Sequence, residues 1–202
     1  LNYVSRKMSI KKNNLILMHQ THSNKVIEIK KNNYNKIIYS DAMITRLKNF
    51  GLSVVTADCV PILVYEKNNK IIGCIHAGWK GAFSGIIEKT ILKIRKIEPR
   101  SKIYACIGPC IGKNSYEVDL KFFKRFTFRA KINKKYFFKK NRSKKLFDLR
   151  KYVKEKLLKL KVIVDNVNRD TFKEKNYFFS YRRSTYLNEA DYGRCISVIK
   201  LT

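Results

Sequence analysis

The sequence contains no long hydrophobic run and no regular cysteine framework. No stretch approaches the roughly 18 uninterrupted apolar residues of a membrane span, so no membrane association is expected. Residues 1–14 contain no apolar signal-peptide core, which makes the cytoplasm the expected compartment. Five cysteines lie at positions 59, 74, 106, 110 and 195. This odd, scattered set does not fit a disulfide framework, so we expect reduced thiols.

Acidic residues are also scarce. Fifteen Asp and Glu stand against 45 Lys and Arg, which gives a formal net charge of +30. The most basic stretch, residues 121–145, has twelve basic residues, seven aromatic residues and no acid. A nucleic-acid-associated protein is one interpretation, because cations neutralise phosphates and aromatic rings stack on bases. Lysine is abundant everywhere, however, together with Asn and Ile, which is typical of a coding bias. We favour the second interpretation and expect no specific nucleic-acid partner.

Proline and glycine are few, with three and eight residues in the whole chain. The sequence contains no linker rich in either residue, no internal repeat and no low-complexity tract. Hydrophobic residues make up 45% of the chain, which excludes a disordered protein and allows a substantial core. We therefore expect residues 1–202 to form one domain.

Short apolar strands alternate with amphipathic helices, which predicts an α+β fold. Strands are predicted at residues 26–29, 52–56, 60–66 and 70–75, and two closing strands at 177–183 and 194–201. Helices are predicted at residues 83–97 and 148–160 from their apolar spacing. Asp148 is the expected N-cap of the second helix.

The strands at 60–66 and 70–75 are separated only by KNN, which predicts a β-hairpin with its tip at Asn68. Cys59 lies nine residues before this tip and His76 eight residues after it. Antiparallel pairing would bring them nearly opposite each other at the open end of the hairpin. A thiol beside an imidazole indicates either a metal site or a Cys–His nucleophile pair. Two alternatives remain. Cys59 could be a buried, unreactive packing residue, or Cys74, which lies on the same strand face as His76, could be the ligand in its place.

A third ligand would have to come from MHQTHSNKV, which contains the other two histidines, His19 and His22. Spacing does not choose between them, and either alone is typical of a surface histidine. With Cys59 and His76, one of them would complete a three-ligand zinc site. Such a site keeps a fourth position open, as catalytic zinc sites do.

Seven segments resemble the bacterial laccase-domain family in the same order along the chain. They are QTHSNKV, SDAMIT, TADCVPIL, HAGWKG, IGPCIGKNSYEV, FDLRKYVKEKL and FFSYRR, and the match runs from about residue 15 to the C-terminus. The pair TADC and HAGWKG is highly specific. Members of this family were named multicopper polyphenol oxidases and were later described as zinc-dependent purine nucleoside phosphorylases.

The resemblance implies mixed β-sheets flanked by helices, similar to the fold of hydrolases that use a Cys–His pair. It implies zinc ligands at His22, Cys59 and His76, and we expect Cys59 and His76 to be catalytic residues as well. The implied activity is phosphorolysis of adenosine, inosine and methylthioadenosine to free base and sugar 1-phosphate, with deamination of adenosine as a second activity. The expected partners are therefore purine nucleosides and phosphate. Copper is possible at the same site, but three histidines cannot form a multicopper set.

The sequence departs from the family pattern in three places. Ser115 stands where the family usually has a cysteine before YEV, and Asp170-Thr171 stands where it has a Cys-Thr pair. Neither position belongs to the implied ligand set, so metal binding is still expected. Family members also usually begin with an additional segment that carries an arginine in a T-x-R-x-G-G-like stretch. This sequence starts after that segment, so we expect altered turnover if the arginine holds the substrate.

Lys80, Arg182 and Arg183 are the cations nearest to the matched motifs, and we expect them to bind phosphate. On a strand the two arginines would alternate, so at most one would face the site. The N-terminus of the predicted helix at residues 83–97 is a further candidate for phosphate.

Three points stay open from the residues alone. Asp58 and Glu117 are candidate acid or base groups, although a structural role in a turn suits each equally. A cysteine hydrolase or amidase, with Cys59 as nucleophile and His76 as base, is the alternative enzyme. A basic nucleic-acid-associated protein is the alternative outside catalysis.

Overall fold

The computed structural model describes residues 1–202 and contains three β-sheets with helices packed against them. The α-helices span Asn2–Lys7 (α1), Trp79–Ser84 (α2), Ile86–Ile97 (α3), Leu120–Arg129 (α4), Leu149–Lys159 (α5) and Tyr181–Tyr186 (α6), and short 3-10 helices span Lys12–Asn14 and Lys131–Tyr136. The strands span Leu15–Ile16 (β1), Val26–Ile29 (β2), Ala42–Thr45 (β3), Gly51–Thr56 (β4), Val60–Glu66 (β5), Ile71–Ala77 (β6), Ile103–Ile107 (β7), Glu117–Asp119 (β8), Phe137–Lys139 (β9), Lys144–Phe147 (β10), Ile163–Asn166 (β11) and Cys195–Lys200 (β12). None of the helices is both long and apolar enough to cross a membrane.

The β5–β6 hairpin is the centre of a six-stranded sheet with the order β11-β7-β5-β6-β3-β2. The inner strand pairs are antiparallel, while β2–β3 and β7–β11 at the edges are parallel. The predicted hairpin is confirmed, and its register places Pro61 opposite His76. A second mixed sheet has the order β1-β4-β12, and β8, β10 and β9 form a small antiparallel sheet. The expected α+β class, with mixed sheets flanked by helices, is confirmed.

Apolar side chains form two cores on opposite faces of the central sheet. Successive residues of a strand point to opposite faces. Ile75 of β6 therefore packs with Ile87 of α3 in the larger core, which also includes α5. Ile72 and Cys74 point the other way, into the smaller core shared with the β1-β4-β12 sheet. His76 has the same parity as Cys74 and reaches this second side at the open end of the hairpin.

The predicted helix at residues 83–97 is wrong at its start. The chain forms two helices there, α2 and α3, which meet at Gly85. Gly85 has a φ of 94°, in the left-handed region that glycine adopts without steric cost. The predicted apolar stripe is buried through Ile87 and Ile91. Because α3 begins at Ile86, no helix N-terminus exists at residue 83, and α2 is the helix that directly follows the hairpin.

The predicted strand at residues 177–183 is also wrong. Its aromatic residues favour a strand, but Ser180 acts as an N-cap and accepts a hydrogen bond from the backbone N–H of Arg183 at 3.2 Å. Helix α6 begins at the next residue. Arg182 and Arg183 therefore lie on a helix, about 100° apart around its axis, and do not alternate along a strand.

The predictions for the helix at 148–160 and the strand at 194–201 are confirmed. The Asp148 carboxylate accepts the backbone N–H of Lys151 at 2.9 Å and caps α5. Strand β12 pairs antiparallel with the whole of β4. The C-terminal strand thus lies beside the segment that leads into Cys59.

The basic stretch at residues 121–145 is a surface anchored by aromatic rings. It forms α4, the 3-10 helix after it, β9 and the start of β10. Phe126 and Tyr136 are buried, and they pack against other rings of the larger core. Phe128 and Phe138 are exposed. Most aromatic residues of the stretch therefore pack inward, while its cations face outward.

Candidate metal centre and adjoining cavity

Three side chains that can bind a metal meet at the open end of the hairpin. Cys59 immediately precedes β5, His76 is in β6, and His22 lies in the loop between β1 and β2. Their ligand atoms all lie within 4.8 Å of one another. The rings of His22 and His76 meet edge to face, with centroids 4.7 Å apart. The fold therefore brings together the three residues that the resemblance implies as ligands.

The two rival residues lie apart from this group. His19 is exposed, and its ring packs beside that of Tyr39 at a centroid distance of 5.2 Å. Cys74 is fully buried in the smaller core, opposite Met43 and Leu63 in the sheet. In this position Cys74 is a packing residue.

Asp41 is a buried carboxylate that orients His76. It lies just before β3, has no exposed surface, and contacts Nδ1 of His76 at 2.8 Å. An ionised carboxylate only accepts hydrogen bonds, so Nδ1 of His76 carries the proton and Nε2 keeps a free lone pair. A carboxylate in this position fixes the ring and increases the basicity of the other ring nitrogen, which is the one available to a metal.

The same carboxylate also holds the loop that carries His22. It accepts the backbone N–H groups of Thr21, His22 and Ser23 at 3.2, 2.9 and 2.7 Å. The hydroxyls of Thr21 and Ser23 donate to it as well, at 3.1 and 2.7 Å. These contacts support His22 in the left-handed region, at a φ of 56°. Burial alone would raise the pKa of Asp41, but the hydrogen bonds from His76 and Ser23 outweigh burial and lower it well below its usual value.

The surroundings favour the neutral forms of Cys59 and His22. Burial raises the pKa of the Cys59 thiol to about 12, and the neighbouring Asp58 and Cys110 act in the same direction. Partial burial lowers the pKa of His22, and the charges of His76 and Lys80 lower it further. A cation at this point would favour the thiolate, because it replaces the lost solvation of the negative sulfur. The site thus suits a cation and disfavours a free thiolate.

Gly78 leaves the room that the ligands occupy. A Cβ atom at this position would lie 2.9 Å from the Cys59 sulfur and 3.2 Å from Cδ2 of His22. Both distances are shorter than ordinary van der Waals contacts, so one of the ligands would have to move. Close packing around the site therefore requires glycine at position 78, the first of the two glycines in HAGWKG.

We expect Gly78→Ala to reduce metal occupancy strongly while the fold is retained. The matched control is Gly85→Ala, whose Cβ would meet nothing closer than 3.6 Å but would sit at an unfavourable positive φ. That variant should lose about 1 kcal/mol of stability and keep its metal. Elemental analysis and thermal unfolding of both proteins separate the two effects. Equal metal content in the two variants would contradict the packing argument.

A cavity of about 600 Å³ opens beside the three ligands, a size that fits a small molecule. His22 and Cys59 lie in its wall. Four aromatic side chains and two cations also line it, namely Trp79, Tyr116, Tyr181, Tyr192, Lys80 and Arg182. The combination offers flat apolar surfaces for a ring and positive charge for an anion.

The three predicted cations have different positions. Arg182 lines the cavity. Its guanidinium lies over the Tyr116 ring, 5.4 Å from the centroid, and its Nη1 donates a hydrogen bond to the backbone carbonyl of Glu117 at 2.9 Å. Lys80 also lines the cavity, with its ammonium 5.8 Å from the centroid of the Trp79 ring. Arg183 does not line the cavity. Its guanidinium donates to the backbone carbonyls of residues 171, 172 and 178, so it holds the loop before α6.

The two candidate acid or base groups have different positions, since Asp58 lines the cavity and Glu117 does not. The Asp58 carboxylate is buried and accepts three hydrogen bonds, from the side chains of Thr171 and Ser180 and from the backbone of Arg182. Glu117 does not line the cavity, and its carboxylate pairs with surface lysines. The structure thus places Asp58 at a junction and Glu117 outside the site.

Two of the departures from the family pattern meet in space. The hydroxyl of Ser115 donates to the carboxylate of Asp170 at 2.7 Å. Asp170 also accepts the backbone N–H groups of Gly112 and Phe172, each at 3.0 Å. The pair therefore joins the loop before β8 to the loop before α6, and both loops support the cavity wall.

Residues 1–202 match the profile of the family described as multi-copper polyphenol oxidoreductase laccase. The chain is 34% identical over 192 residues to purine nucleoside phosphorylase RP494 of Rickettsia prowazekii, covering 94% of this chain and 79% of that protein. It is 35% identical over 204 residues to purine nucleoside phosphorylase RC0672 of Rickettsia conorii, covering 97% and 83%. Among solved structures, the hypothetical protein YfiH of Bacillus licheniformis has a similar fold, with a TM-score of 0.88, 24% identity, and coverage of 99% of this chain and 79% of that one.

Proposed function

The chain belongs to the multi-copper polyphenol oxidoreductase laccase family, and from this premise we propose that it is a zinc-dependent purine nucleoside phosphorylase. The observation that carries the proposal is the group of His22, Cys59 and His76 in the wall of a cavity lined by aromatic rings and cations. Two relatives that match most of the chain bear the name of this activity. The proposed compartment is the cytoplasm, where Cys59 stays reduced and able to bind a metal.

The donor set supports zinc as the metal. Two imidazoles and one thiolate are common zinc ligands, and three protein ligands leave one position for substrate. Ligand atoms around one zinc ion lie roughly 3.3–3.8 Å apart, so a group within 4.8 Å needs little adjustment. Bound zinc would act as a Lewis acid on an oxygen of the substrate. Copper suits the same donors, but three histidines in the chain cannot supply a multicopper set.

The chain's own side chains would bind and orient the two substrates. Four aromatic rings line the cavity and would provide surfaces against which a purine can pack, namely Trp79, Tyr116, Tyr181 and Tyr192. Arg182 and Lys80 would hold phosphate, because positive charge and several N–H donors match its oxygens. In this arrangement Arg183 supports the loop before α6 and does not touch phosphate.

We extend the proposal to adenosine, inosine and methylthioadenosine as substrates, with free base and sugar 1-phosphate as products. Hydrolytic deamination of adenosine is the proposed second activity. In this reaction water would attack the purine carbon that carries the amino group and release ammonia, whereas phosphate would attack the sugar carbon bonded to the base and release the free base. The support for both is family membership together with a cavity open enough to admit either nucleophile.

A cysteine hydrolase is the weaker alternative. It needs Cys59 as a thiolate and His76 as the base that activates it. Burial raises the pKa of Cys59 to about 12, which keeps the free thiol protonated. Nδ1 of His76 is bonded to Asp41, as the His of a triad would be, but Asp41 also holds the loop of His22. This double contact favours a three-ligand metal site.

The proposed reaction is tested with adenosine in the presence and absence of phosphate. We expect the release of adenine to rise with added phosphate and to be absent from the His76→Ala protein, which serves as the blank. Adenine, inosine and ammonia are measured separately, so that phosphorolysis and deamination are distinguished. Equal adenine release in both buffers would reject phosphorolysis, and a lack of inosine and ammonia would reject deamination.

A further inference from the structure

Asp58 lies at the point where the metal-binding part of the site meets the cavity wall. It precedes Cys59 in the turn between β4 and β5 and has a positive φ of 81°. Its carboxylate is buried, at 8% exposure of the residue. Unlike a general acid or base, which needs a free oxygen near the substrate, this carboxylate has both oxygens occupied by protein groups.

The contacts of Asp58 all cross long stretches of sequence. One carboxylate oxygen accepts the hydroxyl of Thr171 at 2.7 Å. The other accepts the hydroxyl of Ser180 at 2.9 Å and the backbone N–H of Arg182 at 2.7 Å. The backbone carbonyl of Asp58 accepts the N–H of Ile111 at 3.0 Å, and Ile111 also lines the cavity. Asp58 thus fixes two segments of the wall relative to Cys59.

The first turn of α6 is held mainly through this carboxylate. Ser180 is the N-cap of α6, and its hydroxyl donates to Asp58 while it accepts from the N–H of Arg183. The Arg182 N–H points directly at the same oxygen. Loss of the carboxylate would leave the buried Ser180 hydroxyl and the half-buried Arg182 N–H without an acceptor, and α6 would have to move to satisfy them. Such a movement changes where the guanidinium of Arg182 points.

We propose that Asp58 is a positioning residue that orients Arg182 for an inorganic phosphate or phosphate ester in the cavity. The inference rests on the proposed function in one respect, the role of Arg182 as the anion ligand. Asp58 does not touch the anion itself. Its carboxylate connects the turn that carries Cys59 to the start of α6. This connection holds the anion at a fixed distance from the metal ligands.

Two substitutions of Asp58 should differ in their effect on phosphate affinity. Asp58→Ala removes both acceptors and should weaken phosphate binding by about tenfold, as expected when a buried acceptor is lost. Asp58→Asn should restore most of the affinity. Its amide oxygen can face Ser180 and Arg182, while its amide nitrogen donates to the hydroxyl oxygen of Thr171.

Glu66 provides a matched control at the other end of β5. It is also a buried carboxylate, and it accepts the backbone N–H groups of Asn68 and Asn69 at 2.6 and 2.9 Å. Glu66→Ala should therefore destabilise the hairpin in a similar way. It should leave phosphate binding unchanged, because the tip of the hairpin is remote from the cavity.

The experiment uses the metal-loaded full chain and titrates inorganic phosphate by calorimetry, with metal content and thermal unfolding measured for each variant. The Arg182→Gln and Asp58→Ala/Arg182→Gln proteins complete a double-mutant cycle. We expect the double variant to bind phosphate no more weakly than Arg182→Gln alone. Additive losses, or a loss of metal in Asp58→Ala, would overturn the assignment. If Asp58→Ala does not fold, Ser180→Ala replaces it in the same cycle.

Failure of the proposed function gives a different pattern. If the wild-type protein binds phosphate but shows no phosphate-dependent release of base, the proposed phosphorylase activity is rejected. The double-mutant cycle then still tests the role of Asp58. Wild-type protein that binds no phosphate would overturn the role of Arg182 and with it that of Asp58.

Discussion

Replacement of Cys59 by alanine should abolish metal binding, while replacement of Cys74 should leave about one metal ion per chain. Cys59 is the single sulfur in the group whose ligand atoms lie within 4.8 Å. Without it only two imidazoles remain, and the charge of the thiolate, which binds a dication most strongly, is lost. Phosphate-dependent base release should disappear together with the metal.

Cys74→Ala is the matched control, because Cys74 lies within β6 of the same hairpin and both thiols have a pKa raised to about 12 by burial. Cys74 is fully buried in the smaller core, so its truncation should lower stability by about 1–2 kcal/mol through lost packing. Elemental analysis of the purified proteins measures metal content, and thermal unfolding measures stability. An empty site in Cys74→Ala with an occupied site in Cys59→Ala would refute the ligand assignment.

Asp41→Asn should weaken metal binding by about 10- to 100-fold, as observed when the hydrogen-bond partner of a metal-binding histidine is removed. One carboxylate oxygen of Asp41 accepts from the N–H of His22 and Nδ1 of His76. The other accepts from the backbone and hydroxyl groups of Thr21 and Ser23. An amide nitrogen in either position would face at least one backbone N–H. Asparagine therefore cannot replace Asp41, in contrast to Asp58.

The same substitution should change the pH dependence of stability. The pKa of Asp41 is lower in the folded protein than in the unfolded chain, so its ionised form stabilises the fold above the unfolded pKa of about 4. That contribution is lost as the pH falls through the folded pKa. Urea unfolding between pH 5 and pH 2, with a chelator present throughout, should show a loss of stability below about pH 4 that is steeper in the wild type than in Asp41→Asn. Parallel curves would contradict the role of Asp41.

The hairpin and its ends could be predicted from the sequence because their contacts are local. The strands around KNN place TADC and HAG together without any knowledge of the remaining chain. Spacing alone could not choose between Cys59 and Cys74. That choice depends on the direction of each side chain, and Cys74 points into the smaller core.

Asp41 and α6 show what the sequence does not reveal. Asp41 lies 35 residues from His76, and only the pairing of β3 with β6 brings them together. The available signal was an acidic residue directly before a buried strand, in SDAMIT. In YFFSYRR the aromatic residues favour a strand, but the chain forms α6 with Ser180 as its N-cap. The Ser180 hydroxyl is held in place by a hydrogen bond to the carboxylate of Asp58, which is 122 residues away in the sequence. Partners at such separations are invisible to local patterns.

The two halves of the site come from different parts of the chain. His22, Asp41, Cys59, His76 and Gly78 all lie within the first 78 residues, while Ile111, Tyr116, Tyr181, Arg182 and Tyr192 come from the later part. Substitutions in the later part of the gene can therefore alter which molecule enters the cavity while the metal ligands stay intact. Selection for a new substrate would act on the later segment and on Trp79 and Lys80, which directly follow the hairpin, while selection for the metal would act on the first 78 residues. Because Asp58 adjoins Cys59 and contacts the later segment, a substitution of Asp58 would affect both the metal ligands and the cavity wall.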